Sequence, residues 1–162
     1  MLATPKPLPG ITLKITSDAE QVSLLCEALH ALCLYASGSV ECAVEVQHAA
    51  VEALNNVIIH AYHRQPGHDI TVCWYHQDRQ LRIEIIDNGS SMAFLPEPVL
   101  PDFEAEGSRG WWIINACVDD YFYQIIEHGD FGRVLKVGEE PISIAPPIPK
   151  SHTNILTLLK QF

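Results

Sequence analysis

The stretch that most constrains the fold is AVEVQHAAVEALNNVIIHAYHR, residues 43 to 64. At helical spacing Val40, Ala43, Val44, Val46, Ala50, Val51, Leu54, Val57, Ile58 and Ala61 share one broad arc, interrupted by Gln47. Glu45, His48, Glu52, Asn56, His60 and His63 share the opposite arc. A period of about 3.6 residues held over roughly five turns predicts an amphipathic helix, extending to about His63, that must cover a core. The polar arc has no lysine, and its one arginine, Arg64, stands at the end. A solvated face ordinarily mixes lysine and arginine with glutamate. Glu52, Asn56 and His60, stacked one turn apart, instead point toward a ligand.

The rest of the chain supplies what such a helix can lie on. Residues 1–9 are proline-rich and read as loose. ITLKIT (11–16) alternates as an edge strand would. Ser17-Asp18-Ala19-Glu20 is a capping-box pattern opening a helix to about Tyr35, which Ser37-Gly38-Ser39 breaks. DITVCWYH (69–76) and QLRIEIID (80–87) are two strands of a hairpin turning at Gln77-Asp78-Arg79. Residues 88–108 lose periodicity and carry Pro96, Pro98 and Pro101, the mark of a long loop of the functional or mobile kind. WWIINACVDD begins a short helix, and DYFYQIIEH (120–128) with GRVLKV (132–137) forms a second hairpin.

The segment after Gly138 reads as a linker, PISIAPPIPK, and then a short helix capped by Ser151. Its apolar positions are Ile155, Leu158, Leu159 and Phe162. The division expected is one domain over 1–138, with its core at 10–138, and a linker plus C-terminal amphipathic helix over 139–162. Tight turns between consecutive strands predict an α+β fold: a two-layer sandwich whose mainly antiparallel mixed sheet carries three helices on one face.

Charge and cysteine usage narrow the function classes. A formal charge of −10 over 162 residues opposes a nucleic-acid partner, which wants a basic surface. The five cysteines include no C-x-x-C pair and sit in apolar runs, so they read as reduced core residues of a cytoplasmic protein. The N-terminus has no apolar signal region, and no apolar run approaches membrane-spanning length.

Three motifs carry candidate chemistry: Glu52-x-x-x-Asn56, Asp87-Asn88-Gly89 at a strand end, and Gly107-Ser108-Arg109-Gly110 at a helix start. Each has a plain reading as well: a solvated stripe, a turn, and a glycine-rich helix entry. Together EALNNVIIHAYH, IIDNG and EGSRGWWIINACVDD resemble, in order, the N box and two glycine boxes of the GHKL-superfamily ATPases. Within that superfamily they are similar to the anti-sigma factor/serine-protein kinase family. The resemblance covers about residues 10–138 and agrees with the element order above.

That resemblance implies ATP and Mg²⁺ as cofactors. Asn56 would hold the metal, Asp87 would accept the adenine amino group, and Gly89 would let the base come close. Gly107, Ser108, Arg109 and Gly110 would wrap the phosphates beside Trp111, and Glu52 would be the general base. His60 matches the family's histidine, with a structural and a functional role both open. The implied activity is an anti-sigma factor with protein-serine kinase activity on a STAS-type anti-anti-sigma protein, working as a homodimer by partner switching. The other reading is a non-catalytic, nucleotide-dependent binding module. Two departures stand out. Ser90-Ser91-Met92 follows the first glycine box where a second glycine is frequent, and the last strand offers Arg133-Val134 where a threonine near adenine is common.

Overall fold

The computed structural model describes residues 10–99, 109–127, 133–141 and 151–162. The expectations for residues 1–9 and for most of the 139–150 linker lie outside them. Helix α1 (Ala19–Ser37) starts one residue later than a serine cap would set it: Asp18 is the N-cap, its side chain accepting from the Glu20 N–H. Ser17 instead ties the helix entry to the far end of the next loop, donating to the Gln65 carbonyl and accepting from the His68 N–H. Gly38 ends α1 at φ +67°, a left-handed conformation that glycine adopts without penalty. Ser39 then caps α2 (Val40–Asn56) by accepting from the Cys42 N–H at 3.1 Å.

The helix expected to continue to His63 changes character at its end. Val57–Ala61 is a π-helical turn, closed by the Tyr62 N–H on the Val57 carbonyl at 3.0 Å. Such wide turns are uncommon and collect at functional sites. This one rotates His60 and Ala61 relative to a regular helix and frees the Ala61 carbonyl to accept from the Ser90 N–H at 2.9 Å.

Strands β1 (Gly10–Thr16), β2 (Asp69–Gln77) and β3 (Gln80–Asp87) lie side by side in the sheet, with β2 and β3 joined by Asp78 and Arg79, both at positive φ. Two such residues make the hairpin turn whose twist matches the strands. Helix α3 (Arg109–Cys117) leads into β4 (Asp120–Glu127), which pairs with the short edge strand β5 (Arg133–Leu135).

The C-terminal segment corrects the expectation. It is no helix capped by Ser151 but a ten-residue strand, β6 (His152–Gln161), lying between β3 and β4. The sheet order is β1-β2-β3-β6-β4-β5, and all five pairings are antiparallel. The reason is tertiary. Without β6, β3 and β4 would each leave a row of backbone donors and acceptors unpaired in the middle of the sheet, which folded chains avoid. An apolar run of Ile155, Leu156, Leu158 and Leu159 suits a central strand as well as a helix stripe. The expected domain division at 138 therefore places a central strand outside the domain that it completes.

Register sends Ile70, Val72, Ile83, Ile85, Leu156, Leu158, Tyr121 and Tyr123 to one face, where α1, α2 and α3 close a single apolar core. The helix residues in it are chiefly Leu25, Leu29, Cys33, Val46, Ala50, Leu54 and Ile114. Val40, expected on the buried arc, is largely exposed. All five cysteines are free thiols; burial pushes Cys26 up to about 11 and Cys33 to about 12, which keeps both unreactive.

Candidate functional site

The polar arc of α2 divides its work. Glu45 forms an ion pair with Lys160 of β6, bracing the helix on the sheet. His63 lies beyond the π turn and shares a hydrogen bond with the Ser90 hydroxyl at 3.0 Å. His48 is exposed. Only Glu52, Asn56 and His60 remain for a ligand, and they sit where α2 meets the start of α3. A Cβ placed on Gly110 would lie 3.0 Å from Glu52 Oε2 and 3.6 Å from Asn56 Nδ2. The motif at 52–56 and the glycine of the later box are thus in contact, across more than fifty residues of chain.

The end of β3 supplies the second wall. Asp87 is 4% exposed, and its Oδ1 accepts from the Gly89 N–H and from Asn154 Nδ2, both at 2.9 Å. Among the described residues no hydrogen bond falls on its Oδ2. Burial raises the carboxyl above the ordinary carboxylate range; the bonds from Asn154 and Gly89 and the nearby His152 pull against that rise. A raised acid in a cleft, with one oxygen uncommitted, is a common mark of a ligand site.

Gly89 also meets a packing requirement inside the protein. A Cβ there would sit 2.5 Å from the Ala61 carbonyl oxygen and 2.7 Å from its carbon. The missing side chain lets the loop after β3 dock on the π turn, so Gly89 shapes the wall behind Asp87.

Between these walls lies a cavity of ≈ 120 Å³. Of the expected site residues, Asn56, His60, Asp87 and Trp111 line it. Glu52 and Gly110 adjoin it through Asn56, and Arg109 is exposed as the first residue of α3. Gly107 and Ser108 lie outside the described residues. Val57, Met92, Tyr123 and Leu156 make much of the remaining lining apolar, as a flat heteroaromatic group requires. Trp111 is fixed by stacking on Tyr121, ring centroids 5.9 Å apart.

The residues that sequence reasoning missed come chiefly from β6. Asn154 is fully buried, and its amide donates to Asp87 and to the Gly89 carbonyl while accepting from the Ser91 hydroxyl at 2.6 Å. His152 bonds the same Gly89 carbonyl. Ser91, where the resemblance led one to look for glycine, therefore has a partner of its own. Arg133 and Val134 stand on the edge strand β5, and the strand beside Asp87 is β6, which offers Thr153 and Asn154. Nothing in the spacing of 139–162 marked these residues, because the segment also fits a helix.

The donor set fits a nucleotide and a hard cation. Asn56 Nδ2 is buried without a hydrogen-bond partner among the described residues, so its carboxamide is uncommitted. A carboxamide oxygen is a ligand of the kind that Mg²⁺ takes.

Residues 15–137 match the family model described as the histidine kinase-like ATPase domain. The chain belongs to that family. It is also similar to the anti-sigma F factor of Clostridium acetobutylicum, 33% identical over 82 residues, a match covering 47% of this chain and 56% of that protein. The chain thus spans little more than half the length of the curated relative it matches. Within this histidine kinase-like ATPase domain the matched region ends at 137, so β6 and Asn154, which hold Asp87, lie beyond it. No helix among the described residues is long and apolar enough to cross a membrane.

Proposed function

We propose that this ATPase-type domain is an anti-sigma factor that binds ATP and transfers its γ-phosphoryl group to a serine of a STAS-type anti-anti-sigma protein. The observation that carries the reading is Asp87, a buried carboxylate with one oxygen committed and the other without a hydrogen bond among the described residues, beside a mostly apolar cavity that Asn56 shares. ATP would supply the phosphoryl group, and Mg²⁺, held through Asn56, would neutralise charge on the phosphates. Asp87 accepts the adenine amino group. Trp111, Tyr123 and Leu156 flank the base and keep water from it. His60 borders the same cavity. Arg109 and the free N–H groups at the start of α3, with Gly107 and Ser108 before them, hold the phosphates. Glu52, one turn from Asn56, takes the proton from the attacking serine hydroxyl.

The partner class rests on the similarity to an anti-sigma F factor. A sigma factor is the second partner in this reading, and the protein acts in the cytoplasm on transcription. A homodimer belongs to the same reading.

The test is transfer of labelled phosphate from ATP, with Mg²⁺, to the candidate antagonist. Glu52→Gln should bind ATP as the native chain does and transfer about a hundredfold more slowly or worse, because an amide cannot take a proton. Antagonist binding with no transfer by the native chain would favour the non-catalytic binding module. Normal transfer by Glu52→Gln would remove Glu52 as the base.

A further inference from the structure

The hydrogen bonds around Asn154 leave no freedom in its orientation. Nδ2 has two hydrogens and two acceptors, Asp87 Oδ1 and the Gly89 carbonyl, each at 2.9 Å. Oδ1 receives the Ser91 hydroxyl at 2.6 Å. Turning the amide over would place its oxygen against two other acceptors, so the network admits one arrangement. Asp87 Oδ1 therefore receives two donors, from Asn154 and Gly89, which fill its two in-plane lone pairs. The carboxylate presents a single oxygen, Oδ2, to the cavity.

Purines differ in what they ask of a carboxylate. Adenine offers one exocyclic amino donor, with ring acceptors beside it. Guanine has a carbonyl in that place. Its donors are a ring N–H and an adjacent amino group, a side-by-side pair that matches both oxygens of a carboxylate at once. We infer that Asn154 is a specificity-determining residue: by occupying Oδ1 of Asp87 it leaves one acceptor, which suits adenine and cannot satisfy the paired donors of guanine. The inference rests on the nucleotide reading of the cavity. Asn154 acts through Asp87 and does not itself touch the base. Ser91 belongs to the same device, because its hydroxyl holds the amide oxygen and so steadies the N–H groups on their acceptors.

The test is a pair of affinities, for Mg-ATP and Mg-GTP, measured by calorimetry on the full chain, on Asn154→Leu and on Ser91→Ala. The native chain should prefer ATP by about a hundredfold or more, since guanine would leave a buried donor unpaired. Asn154→Leu frees one lone pair of Oδ1 and should shrink that preference by about tenfold, the scale of one bidentate contact. Ser91→Ala loosens the amide and should shrink the preference in the same direction by less. Because Asn154 is fully buried, Asn154→Leu is first checked by thermal melting; if it does not fold, Ser91→Ala decides. A fall in affinity for both nucleotides with the ATP preference unchanged would overturn the inference and make Asn154 a packing residue. Failure of the native chain to bind either nucleotide would instead overturn the nucleotide reading itself.

Discussion

Gly110 at the start of α3 lies so close to Glu52 on α2 that a Cβ on the glycine would stand 3.0 Å from the carboxylate oxygen Oε2. The contact sets how near the first turn of α3 can come to Glu52 and Asn56, and so fixes the start of α3 relative to the proposed base. The atom that would be met is the far end of a flexible side chain. A larger residue at 110 would displace the carboxylate and leave the backbone in place.

Gly110→Ala should therefore separate folding from catalysis. Alanine favours a helix over glycine by about 0.5–1 kcal/mol, so the melting temperature should hold or rise slightly. Phosphoryl transfer should fall by about tenfold to a hundredfold, because a base displaced by a fraction of an ångström loses its alignment. Melting curves and transfer rates on the same preparation check both halves. Unchanged transfer would mean that Glu52 need not sit where α3 holds it.

The central place of β6 makes a prediction about truncation. Removing residues 139–162 deletes the strand between β3 and β4 with Leu156, Leu158 and the Glu45–Lys160 ion pair. The truncated chain should show no cooperative thermal transition, since two strand edges and much of the core face would open to water. A detachable C-terminal helix would be lost with little effect, and a native-like melt of the truncated chain would restore that reading.

How much the sequence disclosed follows from where each signal resides. The long helix, both hairpins and the three motifs were legible because period, turn residues and cap residues are local. The π turn at Val57–Ala61 was not, because Val57, Ile58 and Ala61 keep the apolar period of the helix before them; the 88–91 loop that docks on the turn through Gly89 and Ser90 is distant in sequence. The C-terminal strand was misread because Ile155, Leu158, Leu159 and Phe162 satisfy a helical period, while the vacancy they fill is a property of the whole sheet. That misreading hid Asn154 and His152 with it. Glu52, Asn56, Asp87 and Gly110 could be singled out because they sit in recognisable boxes, and the structure brings Asn56 and Asp87 to one cavity with Glu52 and Gly110 beside it. The packing of Gly89 on Ala61 was not legible, since that neighbour is set by the three-dimensional fold.

The raised pKa of Asp87 gives a pH dependence with a definite sign. Its cause is burial, opposed by Asn154, Gly89 and His152. Between the ordinary carboxylate value and the raised one, the folded chain holds a proton that the unfolded chain has released. Stability from this group therefore falls as pH rises through that window and stays lower above it. Adenine binding needs the ionised acceptor, so ATP affinity should fall as pH drops through the raised value and level off above it. Calorimetric titration across the acidic range, on chain shown to be folded at each pH, checks this. An affinity that is flat through acid pH would exclude Asp87 as the acceptor.

The most direct measurement is Mg-ATP affinity by calorimetry for the native chain and for Asp87→Asn, with melting temperature alongside. The Gly89 N–H and Asn154 Nδ2 both donate to the inner oxygen, so the new amide must keep its oxygen inward and turn its NH₂ into the cavity. A donor then faces the adenine amino group. The account predicts binding by the native chain, a loss of about a hundredfold or more in the variant, and a melting temperature at neutral pH no lower than native, because a buried charge has been removed. Equal ATP affinity in the two proteins would contradict it.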